Sequence, residues 1–160
     1  MAGIERLDVL VHSAGLVAFG PLAETTTAEW REVMELNVVA PATLTRVLLP
    51  ALRAAHGLVV FLNSGAGLAT YRGFSVYSAS KFALTALADA LRQDERGRIR
   101  VTSIHPGRVA TDMQAQLTSL QGMPYVPDAH LDPADVARAV RMAVDLPRDA
   151  SLDALRINPV

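Results

Sequence analysis

Residues 63–81 read N-S-G-A-G-L-A-T-Y-R-G-F-S-V-Y-S-A-S-K, and they contain three side chains that could do chemistry together. Tyr77 and Lys81 are four residues apart, so a helix would place both on one face. Ser64 directly follows Asn63 and a short apolar run over 58–62 that is typical of a buried strand. Because ligands bind at the carboxyl ends of strands in open parallel sheets, Ser64 is expected at a binding edge.

The chemistry of these three side chains follows from their acidities. A free tyrosine has a pKa of about 10, and a nearby ammonium group favours the phenolate and lowers that pKa. Such a tyrosine can exchange a proton with an alcohol or carbonyl oxygen, and a serine hydroxyl can hold the same oxygen. Reduction or oxidation would additionally need a bound cofactor. The same residues also have structural uses, since a Tyr-Lys pair is common on helices and a serine can cap a turn.

Composition narrows the class of protein. The chain has 160 residues, 51% hydrophobic and 19% charged, which predicts one globular domain over 1–160. A net charge of -1 argues against a surface for nucleic acid or anionic membranes. The absence of cysteine excludes disulfides and cysteine metal sites and suits a cytoplasmic protein; we expect no metal site. The apolar runs are shorter than the roughly 18 residues that span a bilayer, and the first residues do not resemble a signal peptide.

Strand and helix patterns alternate along the chain. Strands are predicted over 7–11, 58–63, 99–104 and, weakly, 152–157, and helices over 26–56, 77–95 and 133–146. The segment 112–131 has no clear period and is predicted to be a loop. The alternation predicts an α/β fold with a doubly wound parallel sheet covered on both faces.

Several residues mark the ends of the predicted helices. Thr26 and Glu29 form a capping-box pattern, and Gly57 is a plausible C-terminal stop. Asp132 and Pro133 are a typical cap and first helical residue.

Asn37 lies in the middle of the helix predicted over 26–56, where asparagine is a poor helix former. Pro41 has no N–H to donate to the carbonyl four residues earlier, which belongs to Asn37. That carbonyl would be free to hold a water, or the proline would simply kink the helix.

These residues, taken together, resemble the short-chain dehydrogenase/reductase family. The matching set, in the family's order and spacing, is Asn37, Ser64, Tyr77-x-x-x-Lys81, Pro106-Gly107, Val109 and Thr111. The resemblance implies a Rossmann-type fold and an oxidoreductase that interconverts an alcohol and a carbonyl compound with NAD or NADP. It also implies a small-molecule alcohol or ketone substrate and a homodimer or homotetramer.

The family pattern assigns a role to each matching position. It implies that Tyr77 is the general acid/base, that Lys81 lowers its pKa and holds the nicotinamide ribose, and that Ser64 orients the substrate oxygen. The backbone carbonyl of Asn37 would hold a water in a proton relay. The implied cofactor contacts are Pro106, Gly107 and Val109 along the nicotinamide, Thr111 at its carboxamide, Ala14 and Gly15 near the ribose, and also Tyr77 and Lys81.

The chain departs from the family pattern in two places. His12 and Ser13 replace two asparagines that the family usually has before Ala14-Gly15, and we expect His12 to be a tolerated polar residue. The family's first strand and glycine-rich turn have no counterpart before Leu7, so the chain resembles the C-terminal two-thirds of a reductase. This predicts an exposed edge at the strand over 7–11, and it leaves open an inactive remnant that acts as a binding or scaffolding module.

Two further expectations concern surfaces. By family resemblance the segment 112–131 covers the substrate, and its apolar residues hint at a non-ionic substrate: Met113, Leu117, Leu120, Met123 and Tyr125. Both long helices are apolar on more than one face, which predicts that they meet a second copy of the chain. The residues concerned are Trp30, Met34, Leu44, Val47, Leu48, Phe82, Ala83, Ala86, Leu87, Ala90 and Leu91.

Overall fold

Four parallel strands form the centre of the structure, a computed structural model that describes residues 3–160. They are β1 (Val9–His12), β2 (Leu58–Leu62), β3 (Arg100–Pro106) and β4 (Ala154–Ile157). Their order across the sheet is β1-β2-β3-β4, and every neighbouring pair is parallel. The predicted α/β class with a doubly wound parallel sheet is therefore confirmed.

Helices connect the strands and cover the sheet. They are α1 (Thr27–Met34), a π-helical turn (Glu35–Val39), α2 (Ala40–Ala55), α3 (Ser75–Asp94), α4 (Asp112–Leu120) and α5 (Pro133–Asp145). Short 3-10 turns occur at Leu22–Glu24, Gly65–Gly67 and Pro127–Ala129.

The core lies on both faces of β2, because successive residues of a strand point to opposite sides. On one face β2 and β3 pack against α2 and α3; the buried residues there include Leu52, Val59, Phe61, Leu84, Ala88 and Val101. On the other face the strands pack against α5; the buried residues are Leu58, Val60, Ile104, Ala139 and Ala143. This two-sided burial explains why the sequence of β2 is an unbroken apolar run.

The predicted helix ends need two corrections. The Thr26–Glu29 capping box is present, but the residue in the left-handed conformation that ends α2 is His56, with φ 48°, and not Gly57. Gly57 serves close approach instead, because a Cβ there would lie 2.6 Å from the carbonyl oxygen of Leu7. Helix α3 begins at Ser75, so Tyr77 lies in its first turn.

The prediction of a loop over 112–131 is wrong for its first part, which forms α4. Thr111 caps this helix by accepting a hydrogen bond from the backbone N–H of Gln114 at 3.3 Å. The buried face consists of Gln114, Leu117 and Thr118, and the Gln114 amide donates to the Thr118 hydroxyl at 3.1 Å. Two of the three buried residues are polar, which hides the helical period from a search for apolar residues.

A π-helical turn joins α1 and α2 at the position of Asn37. The N–H of Ala40 donates to the carbonyl of Glu35, five residues earlier, and Pro41 follows without an N–H. Single π turns inside α-helices often occur at functional sites. The irregularity predicted at Asn37 is thus a local widening of the helix.

Strand β1 lies at one edge of the sheet. Within residues 3–160 it pairs with β2 alone, and Val11 is 41% exposed. This agrees with the exposed edge predicted from the sequence.

The continuous helix Thr27–Ala55 is long and apolar enough to cross a membrane by length and composition, with a mean hydropathy of 1.3 in its most apolar window. Core helices of globular domains share these two properties. Here Leu52 and Ala55 are packed into the core beneath the sheet.

Candidate active site

A cleft of about 1230 Å³ opens at the carboxyl ends of β2 and β3. It brings together six of the residues singled out from the sequence: Ser64, Tyr77, Pro106, Gly107, Val109 and Thr111. Lys81, Asn37, Ala14 and Gly15 are not among its lining residues. The cleft lies where a parallel sheet is expected to bind ligands.

Tyr77 stands in the first turn of α3, and its ring contacts that of Phe74 at a centroid distance of 6.2 Å. Burial raises the pKa of Tyr77 above its usual value, and the neighbouring Ser64 hydroxyl works against that rise. Loss of hydration is the largest cause of this shift, and the predicted lowering of the Tyr77 pKa by Lys81 stays a prediction. Tyr77 is a neutral phenol in this structure at neutral pH.

Lys81 lies one helical turn beyond Tyr77 and is only 4% exposed. Its Nζ donates a hydrogen bond to the Leu62 carbonyl oxygen at 3.2 Å and lies 5.7 Å from the centroid of the Tyr77 ring. Burial lowers the pKa of Lys81 to about 8. An ammonium has three N–H groups. Within residues 3–160 the Lys81 ammonium has a single hydrogen-bond partner, the carbonyl oxygen of Leu62.

Gly15 passes close to this ammonium. A Cβ at Gly15 would lie 3.7 Å from the Lys81 Nζ and 3.4 Å from the Asn37 Oδ1. The space beside Lys81 is kept open because position 15 has no side chain.

Lys81 is the only lysine in the sequence of this chain. The chain has 15 basic residues, and the other fourteen are arginine. Arginine stays charged in proteins, whereas the pKa of a buried lysine shifts readily. The single lysine of the chain is therefore also a buried one, with a pKa lowered by burial.

Ser64 is held on both its side chain and its backbone. Its hydroxyl accepts a hydrogen bond from the N–H of Ala66 at 3.1 Å. Its carbonyl accepts one from Nδ1 of His105 at 3.0 Å, which fixes the proton on Nδ1 because a carbonyl oxygen cannot donate. The His105 Nε2 then accepts from the Ser103 hydroxyl at 3.0 Å. Burial lowers the pKa of His105, so the ring is neutral and this arrangement is the one present.

The hydrogen bonds behind Ser64 continue to α3. The Asn63 amide donates to the Thr85 hydroxyl at 2.9 Å and lies 3.4 Å from the Ser103 hydroxyl. Gly67 makes this close packing possible, since a Cβ there would lie 2.6 Å from the Asn63 Oδ1. Our sequence reasoning missed this network. A signal was present, because Ser103 and His105 are polar residues inside an otherwise buried apolar strand.

Asn37 acts through its side chain in this structure. Its Oδ1 accepts from the Leu16 N–H and its Nδ2 donates to the Leu16 carbonyl, both at 2.8 Å. The same Nδ2 donates to the Ser80 hydroxyl at 2.9 Å, which in turn donates to the Tyr77 carbonyl at 2.7 Å. Asn37 thus ties the loop after β1 to the first turn of α3. The water-binding role of its backbone carbonyl stays a prediction.

The segment after β3 forms one wall of the cleft. The Gly107 N–H donates to the Ile157 carbonyl at 2.7 Å, and a Cβ at Gly107 would lie 3.0 Å from the Asn158 Oδ1. Thr111 uses its hydroxyl as the cap of α4 and also donates to the Val109 carbonyl at 3.3 Å. Ala14 is exposed beside Gly15.

His12 lies at the end of β1 and outside the cleft lining. It is buried, stacks on Phe61 at a centroid distance of 5.0 Å, and has its Nε2 2.8 Å from the Thr45 hydroxyl. Burial lowers the pKa of His12. A neutral, hydrogen-bonded core histidine agrees with the tolerated polar residue expected at this position.

Known proteins resemble this chain over most of its length. The family profile described as short chain dehydrogenase matches residues 1–122. Cyclopentanol dehydrogenase of Comamonas sp. is 35% identical over 143 residues, which are 88% of this chain and 56% of the relative. An alcohol dehydrogenase of the archaeon Thermococcus sibiricus, solved with 5-hydroxy-NADP, superposes with a TM-score of 0.85 at 26% identity, covering 97% of this chain and 64% of the other. A short-chain dehydrogenase of Streptomyces avermitilis superposes with a TM-score of 0.76 at 33% identity, covering 96% and 60%. The chain thus spans less than two-thirds of the length of these proteins.

Proposed function

Because the chain belongs to the short-chain dehydrogenase family, we propose that its cleft is the site of an NAD- or NADP-dependent oxidoreductase that interconverts an alcohol and a carbonyl compound. The observation that carries the proposal is the single buried lysine of the chain placed one helical turn from Tyr77, with its Nζ 5.7 Å from the ring centroid. The binding of NADP-type cofactors by structural relatives supports the choice of cofactor.

Tyr77 transfers the proton in this proposal. In the direction of reduction the neutral phenol donates its proton to the carbonyl oxygen, which becomes the hydroxyl of the product. In the direction of oxidation the phenolate accepts the hydroxyl proton of the alcohol. Because the pKa of Tyr77 is raised, its phenol is protonated at neutral pH and can donate a proton to the carbonyl compound.

Ser64 holds the oxygen that receives the proton. Its hydroxyl lines the same cleft as Tyr77, and the neutral His105 fixes its backbone from behind. A donor fixed in advance stabilises charge that develops on oxygen without having to reorganise during the reaction.

The residues around Lys81 fit a nicotinamide nucleotide. The two N–H groups of Lys81 that have no partner among residues 3–160 can donate to ribose hydroxyls, and Gly15 leaves room for them. Pro106, Gly107 and Val109 offer an apolar wall for a flat ring. When bound, the nicotinamide accepts or supplies the hydride, which no side chain of the protein can do.

The second candidate is an inactive binding or scaffolding module. It is favoured by Asn37, whose side-chain hydrogen bonds to the Leu16 backbone would stabilise the fold in a protein without catalysis. Activity and cofactor binding therefore have to be measured on the protein that contains this chain. For the chain itself we propose one domain over 1–160 in a cytoplasmic protein.

Ser64→Ala tests the proposal. We expect turnover of alcohols, followed as NADPH or NADH absorbance at 340 nm, to fall about a hundredfold, within the range for loss of a donor to a developing oxyanion. Thermal unfolding should change only modestly, because the His105 bond is to the Ser64 backbone and the one side-chain bond lost is that from the Ala66 N–H. Exposed Ser119→Ala on α4 is a matched control. Equal turnover in Ser64→Ala and the control would favour the second candidate, an inactive binding or scaffolding module.

We also propose that the chain pairs with a second copy through the outer faces of α2 and α3. Leu44, Val47 and Phe82 are each 44% exposed, although they are large and apolar. Three of the other predicted contact residues belong to the interior of the chain itself. Leu91 is in the core, and the partly buried Leu48 and Leu87 pack against it. The exposed set forms the part of this surface that a partner copy would cover.

Phe82→Asp should separate the copies, since a charge replaces an apolar group that would be covered. We expect sedimentation at micromolar concentration to give a dimer or tetramer for the unchanged protein and a monomer for the variant. Met142→Asp, on an exposed position of α5, should leave the assembly intact. A monomeric unchanged protein contradicts this proposal.

A further inference from the structure

The cleft is lined by three arginines and, among residues 3–160, by no aspartate or glutamate. The arginines are Arg72, Arg108 and Arg156. None of them forms a salt bridge within the described part of the chain. The net charge of the whole chain is -1, so this positive lining is a local property of the cleft. A cleft with charge of one sign attracts ligands of the opposite sign.

The three arginines come from different segments of the chain. Arg108 directly follows Gly107, and Arg156 of β4 is the register partner of His105 in β3. Both therefore flank the segment that we propose for the cofactor, whose phosphates are anionic. Arg72 lies on the loop that leads into α3.

The backbone of Arg72 is fixed by the geometry of its loop, and the residue itself is exposed. The N–H of Phe74 donates to the Tyr71 carbonyl at 3.1 Å, and Gly73 has φ +82°, which a type II turn requires at its third position. Arg72 is the second residue of this turn. The Gly20 N–H donates to the Gly73 carbonyl at 2.9 Å and anchors the turn to the loop after β1.

The turn also places Arg72 next to a row of aromatic rings that ends at Tyr77. The rings of Tyr71 and Phe74 are 6.5 Å apart, and those of Phe74 and Tyr77 are 6.2 Å apart. All three aromatic residues line the cleft with Arg72. The result is an apolar wall beside Tyr77 with one guanidinium on it.

We propose that the substrate of this site is a hydroxy acid or oxo acid whose carboxylate is bound by Arg72 while its alcohol or carbonyl carbon lies at Tyr77. The guanidinium presents a planar pair of donors that matches a carboxylate. The inference rests on the proposed function and replaces the non-ionic substrate suggested by the segment 112–131. In the structure only Met113 and Leu117 of that apolar set line the cleft.

Binding can be measured without catalysis. With NADP present, cyclohexanecarboxylate and the neutral cyclohexanecarboxamide are each titrated into the protein. The dissociation constant of each is measured by saturation-transfer NMR. We expect the carboxylate to bind at least about tenfold more tightly than the carboxamide. This gain is modest for a charge-assisted hydrogen bond because the arginine side chain is exposed to solvent. Arg72→Gln should abolish the difference and Arg72→Lys should retain part of it. Arg148→Gln, which lies at a separate cavity, should behave as the unchanged protein.

The outcomes separate the substrate proposal from the function proposal. Equal binding of acid and amide, or an unchanged preference in Arg72→Gln, overturns the role of Arg72. A loss of NADP affinity in Arg72→Gln also overturns it, because the arginine would then serve the cofactor. Turnover assays with a hydroxy acid and its methyl ester add a second readout: Arg72→Gln should raise the KM for the acid by a larger factor than the KM for the ester. Full turnover in Ser64→Ala would instead contradict the oxidoreductase proposal.

Discussion

Tyr77→Phe is expected to lower turnover at least about a hundredfold, and by up to about ten-thousandfold, because that is the range contributed by a positioned general acid or base. The change removes one oxygen and keeps the ring, so the contact with Phe74 at 6.2 Å remains. Fluorescence titration should give nearly unchanged affinity for NADPH. Turnover above one-tenth of the original value would rule out proton transfer by Tyr77.

The pH dependence provides a second check on Tyr77. Its pKa is raised by burial, so the phenolate needed to oxidise an alcohol forms only in alkaline solution. Oxidation should therefore speed up as pH rises toward the pKa of Tyr77, and carbonyl reduction should slow down. The residual activity of Tyr77→Phe should not follow either trend.

Lys81→Met is expected to stabilise the cofactor-free protein at neutral pH while it removes activity. The pKa of Lys81 is about 8 in the folded protein against an ordinary 10.5. Between these values the unfolded chain holds more protons than the folded one, so stability rises with pH from about 8 to 10.5. Below pH 8 the folded state bears the full cost of a buried ammonium, which we place at about 3 kcal/mol from the size of the shift.

Urea unfolding checks this at two pH values. At pH 7 the midpoint of Lys81→Met should exceed that of the unchanged protein, and near pH 10 the gap should shrink. Because the chain has a single lysine, labelled-lysine NMR can follow its titration directly, and the signal missing from Lys81→Met assigns it. Arg46→Met, at an exposed position on α2, should shift stability little. A lower midpoint for Lys81→Met at pH 7 would contradict the cost assigned to Lys81.

The sequence alone was sufficient for features that depend on neighbouring residues. The capping box at Thr26, the cap at Asp132 and the alternation of helix and strand are local, and each is present in the structure. The spacing of Tyr77 and Lys81 is also local, because four residues on a helix bring two side chains to one face. These features led to the α/β fold, the family and the residues proposed for catalysis.

Only the tertiary structure decided the protonation states and the partners of those residues. Burial depends on segments far apart in the chain, so the sequence did not reveal that Tyr77 has a raised pKa and Lys81 a lowered one. The bond from His105 to Ser64 joins residues 41 positions apart. Arg72 and Arg108 reach the same cleft only because β2 and β3 are parallel neighbours, which places the loops that follow them at one edge of the sheet.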